Sequence, residues 1–132
     1  MIAALEVSGL ALIALAGVHV VFPRYFRWAE ELQRLSLVNA EMMRIHTLFV
    51  AVTVAGMGLL SVLEAEAMAT TPFGKTVAAG FALFWGLRLV VQHVGYSASL
   101  WRGKTFETVV HVAFTLLWAW LTGLYAYVAL GL

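Results

Sequence analysis

The chain has no cysteine and no aspartate, and only 11% of its 132 residues are charged. Without thiols there is no disulfide, thiolate metal site, iron–sulfur cluster or cysteine nucleophile. Without Asp, a Ser-His-Asp arrangement is impossible. A soluble domain would carry about 25% charged and about 45–50% apolar residues, whereas 63% here are hydrophobic. That excess excludes both an ordinary water-facing surface and a disordered chain. The net charge of +1 gives no general attraction to nucleic acid, so no nucleic-acid partner is expected. No P-loop, dinucleotide fingerprint, Gly-x-Ser-x-Gly elbow or His-Glu-x-x-His is present.

What the chain does have is long apolar runs. Four of them, at about 2–22, 39–63, 75–96 and 106–132, approach the roughly 20 residues a helix needs to cross hydrocarbon. The expected fold is therefore all-α: a single membrane domain over 1–132, packed as an up-down-up-down four-helix bundle in the lipid bilayer. The leader of the first run carries Glu6 and no Lys or Arg, unlike a cleaved signal, so this run is expected to be a retained span. Between the first two spans, residues 24–37 set Trp28, Leu32 and Leu35 against Arg27, Glu30, Glu31 and Arg34. This pattern predicts a short helix lying in the membrane interface.

Basic residues give the orientation. Arg24, Arg27, Arg34, Arg44, Arg102 and Lys104 share the end formed by the first and third connections. Lys75 lies at the other end with Glu6, Glu64 and Glu66. The positive-inside rule then predicts a multi-pass protein of the inner cell membrane with both termini extracytoplasmic. Each half reads as a hairpin with one His near the end of its first helix and one near the start of its second, a weak parallel repeat.

The histidines are the main candidates for chemistry. Counting along the spans puts His19, His46, His93 and His111 in one cytoplasm-proximal layer, one per helix. Ionisable groups inside a span are costly and are functional candidates by default. On the fourth span Glu107, His111, Thr115, Trp118, Thr122 and Tyr125 recur every three or four residues, a polar stripe expected to face protein. Arg88 lies about two turns inside the third span and needs an anion. Glu107 or Glu41 could supply one, as could a haem propionate or a lipid phosphate on a ligand.

Imidazole suits haem iron as well as zinc, copper and non-haem iron. A haem between diagonal helices would take His19 with His93, or His46 with His111. Gly17, Gly86 and Gly95 would allow close approach, with Phe22, Phe49, Trp85 and Phe114 as walls. The rival is a bare Zn, Cu or Fe centre using the four histidines with Glu41 or Glu107, although the Glu-x-x-His spacing of carboxylate-bridged di-metal bundles is absent. A third expectation is a structural subunit of a larger membrane complex.

The four membrane histidines make the chain resemble small four-helix b-type cytochromes of the cytochrome b561 kind. The likeness covers the whole chain as architecture and rests on His19, His46, His93 and His111. It implies haem b, electron transfer and a quinone or quinol partner. Di-haem members spread their ligands towards both membrane faces, whereas here all four crowd one. The resemblance therefore implies one haem, or haems near a homodimer interface, with Arg88 offsetting the propionates.

Overall fold

The computed structural model describes residues 1–132, apart from the side chain of Ala98. Its elements are α1 (Ile2–Tyr25), α2 (Trp28–Glu31), a 3-10 turn (Leu32–Arg34), α3 (Leu37–Leu63), α4 (Ala65–Thr70), α5 (Pro72–Val94), a second 3-10 turn (Ala98–Leu100) and α6 (Thr105–Leu130). There is no strand among the described residues. Helices α1, α3, α5 and α6, of 24, 27, 23 and 26 residues, are long and apolar enough to cross a membrane. At about 1.5 Å per residue, each exceeds a hydrocarbon core of about 30 Å. Their outward side chains, among them Leu83, Leu87, Val94 and Leu116, are exposed and apolar, as contact with lipid requires.

Local chemistry moves several expected boundaries. Helix α1 was expected to stop at Phe22 but continues through Pro23 to Tyr25. Proline removes one rung, the N–H that would reach the His19 carbonyl, and this close to a helix end the loss is small. The helix yields instead at Arg27, which sits in the left-handed region at φ 53° and ψ 50°. That break corrects the single interfacial helix expected over 24–37: the segment holds α2 and a 3-10 turn. Leu32 is buried, whereas Leu35 is exposed.

Helix α3 starts at Leu37, two residues early, because Ser36 Oγ accepts the Asn39 N–H at 3.3 Å. Helix α5 likewise starts at Pro72 rather than 75. Thr71 caps it by accepting the Gly74 N–H at 2.9 Å, and Pro72 takes the first turn, where a missing N–H costs nothing. The helix ends at Val94 rather than 96. Helix α6 ends at Leu130 because Gly131, at φ 74°, turns left-handed. Helix α4 was not anticipated. Its Ala67 carbonyl accepts the Thr71 hydroxyl at 2.6 Å, and α5 turns so closely that a Cβ on Gly74 would overlap that carbonyl.

The chain divides into two compact units, Ala3–Ala65 and Glu66–Leu132 with Met1–Ile2. In the first, α1 and α3 approach at Gly9 and Gly58. A Cβ on either glycine would lie 2.6 Å from the other's carbonyl oxygen. Buried Ser8 and Ser61 flank this crossing, in keeping with small residues that let membrane helices touch. In the second unit, α5 and α6 pack through aromatic rings. Trp85 stacks on Trp118 at 5.0 Å and 10°, and Phe81 meets Tyr125 edge-on at 5.1 Å.

Candidate functional site

The first unit has a cleft of about 630 Å³ at the end of α1. His19, Val20, Pro23 and Arg24 of α1 line one side. Arg27, Trp28, Ala29 and Glu30 of the connection line a second, and Arg44, Thr47, Leu48 and Ala51 of α3 a third. Three guanidinium groups thus face a single carboxylate. Among the described residues the one ion pair is Arg34 with Glu31 at 3.4 Å, so Arg24, Arg27 and Arg44 form none. Arg27 reaches the cleft from its left-handed backbone, a conformation uncommon outside glycine and enriched at functional sites. The Arg27 carbonyl accepts the N–H groups of Glu30 and Glu31 at 3.1 and 3.0 Å, which holds that turn in place.

Half-buried His19 donates from Nδ1 to the Leu15 carbonyl at 2.9 Å. A carbonyl can only accept, so the proton resides on Nδ1 and the neutral ring keeps its lone pair on Nε2. This is the usual arrangement of a metal-ligating imidazole, whose second nitrogen is tied to a backbone carbonyl or carboxylate.

His111, in the second unit, has the opposite tautomer. Gln92 Oε1 accepts from Arg88 Nη1 and from Trp118 Nε1, each at 3.2 Å. Both partners are donors only, which fixes the amide and turns its nitrogen towards His111 Nδ1 at 2.9 Å. Nδ1 therefore accepts, and the neutral ring carries its proton on Nε2. The ring is clamped as well: it stacks on Trp101 at 3.8 Å and 9°, and His93 meets it edge-on at 5.2 Å and 80°. His93 and His111 touch, so no macrocycle fits between them.

His46 and His93 are exposed, as are Glu41 and Glu107. Among the described residues, His46 has no hydrogen-bond or ring partner, and no group of three or more His, Asp or Glu could hold a metal ion. Among the described residues of its own unit, Arg88 does not form the expected ion pair with Glu107. Arg88 instead extends along its own helix to Gln92, with its guanidinium carbon 5.0 Å from the Trp118 ring and 5.5 Å from the Tyr96 ring. The α6 stripe faces inward only in part. Trp118 and Tyr125 are buried, but Thr115 and Thr122 return their hydroxyls to the carbonyls of His111 and Trp118.

Reading the sequence missed Arg24, Arg27 and Arg44 as site residues, because arginines at a span's end serve first as markers of orientation. For Arg24 and Arg27 the available signal was their crowding just beyond His19 and Pro23; Arg44, on α3, gave none. No protein-family model, curated protein or solved structure matches the chain.

Proposed function

We propose that the chain is a small membrane haem protein that carries electrons, with one haem b held in the cleft of the N-terminal unit. What carries this reading is the His19–Leu15 hydrogen bond, which leaves Nε2 ready to ligate beside three arginines that lack acidic partners. His19 Nε2 would hold the haem iron, with the ring oriented by the Leu15 carbonyl. Arg24, Arg27 and Arg44 would bind the two propionates through paired N–H donors, the role first expected of Arg88. Trp28, Leu48 and Ala51 would exclude water. Haem b would supply one-electron redox chemistry, with the quinone pool of the bilayer as the exchange partner. The basic ends of the helices would face the cytoplasm from the inner membrane, the spans alternating up and down and both termini outside.

A bare metal enzyme is less well supported, because neither unit gathers three ligands. The test is titration of the purified chain with haemin. One equivalent should bind and give a sharp visible band on reduction. His19→Ala should abolish stoichiometric uptake and His111→Ala should retain it. Equal uptake by wild type and His19→Ala, or no uptake at all, would overturn the reading.

A further inference from the structure

A different group in the other unit is prepared for a ligand. Arg88 is a cation inside a span, and among the described residues it has no carboxylate partner. One guanidinium N–H donates to Gln92, while the Trp118 and Tyr96 rings lie 5.0 and 5.5 Å from its carbon. Gln92 is itself immobilised by Trp118 and His111. The side chain is thus fixed at one edge and bordered by rings. It remains half-exposed, with most of its five donors unspent. Ordering a long arginine side chain around a neutral amide is costly unless an anion completes the set.

We infer that Arg88 is a receptor for the phosphate of an anionic phospholipid. Three observations select that occupant. The guanidinium extends towards the Val94 end of α5, the end that leads into Arg102 and Lys104, where headgroup phosphates lie if the helices span a bilayer. Planar arginine donors match phosphate oxygens in pairs, whereas a lysine would offer only a point charge. Tyr96 and Trp101 supply the amphipathic rings common at that depth. The inference is independent of the haem reading, which concerns the other unit.

The test is native mass spectrometry of the full chain released from bilayers of phosphatidylglycerol and phosphatidylcholine in equal parts. Wild type should retain one phosphatidylglycerol in preference. Arg88→Gln should lower that preference about fivefold to tenfold. Gln92→Glu, which keeps the side-chain shape but supplies an internal carboxylate to Arg88, should lower it as far. Arg102→Gln, a basic neighbour outside the network, should leave at least half of it. Circular dichroism on each variant would report helix content, and Gln92→Glu retains the test if Arg88→Gln does not fold. Unchanged preference in Gln92→Glu would overturn the proposal. So would saturation of the site by inorganic phosphate with no lipid retained.

Discussion

Gln92 presents its amide nitrogen to His111 at 2.9 Å because Arg88 and Trp118 already occupy its oxygen. One amide therefore sets the tautomer of a histidine on the neighbouring helix. Nitrogen-15 NMR of labelled histidine should assign the His111 proton to Nε2 and the His19 proton to Nδ1. Gln92→Leu should release His111 to a mixture of tautomers. Stability should fall by about 1 kcal/mol, since the buried Trp118 indole and the half-exposed Arg88 lose their shared acceptor.

The Gly9–Gly58 crossing should tolerate no side chain. Gly9→Val or Gly58→Val would drive a Cβ into the facing carbonyl, at an expected cost of about 1–3 kcal/mol in the N-terminal unit. Gly56→Ala, with nothing within 4 Å of the added Cβ, should be neutral. Unfolding of the purified variants in denaturing detergent would measure the contrast.

Arg27 combines backbone strain with a place in the cleft. Arg27→Gly should relieve roughly 1 kcal/mol of left-handed strain and raise thermal stability, while weakening haemin uptake. Opposite signs in the two measurements would separate a binding role from a structural one. Arg34→Gly, at an ordinary backbone position outside the cleft, should leave uptake unchanged.

Trp101 forms one wall around His111. Trp101→Leu should remove the stack and loosen the ring, with a loss of about 0.5–1.5 kcal/mol. Broadened His111 ring signals beside unchanged His19 signals would be the expected NMR outcome.

Hydrophobic length made the four long helices legible, since few alternatives exist for some 20 apolar residues in lipid. The starts of α3 and α5 moved by two and three residues, because Ser36 and Thr71 act as caps and Pro72 suits a first turn. Helix α4 stayed hidden: six residues carry no periodic signal of their own. The histidines were legible as polar residues near the basic ends. Their separate roles were not, because a tautomer depends on the partner of one nitrogen. His19 finds a carbonyl four residues back on its own helix, whereas His111 finds an amide 19 residues away. Arg88 was legible as a cation inside a span, but its bond to Gln92 was not, because an amide one turn away on the same helix gives no sign that it will stand where a carboxylate is expected.

The proline in α1 bears on how its helix breathes. Residue 23 has no amide hydrogen to return to the His19 carbonyl, so the backbone ladder skips a rung at the level of the imidazole. Fraying that begins at the Arg27 break can travel back to that gap with one fewer bond to undo. Deuterium should accordingly enter the amides of Arg24 to Phe26 well before those of buried Leu12 and Leu15, so the lip of the cleft would loosen on a shorter timescale than the middle of the helix that carries it.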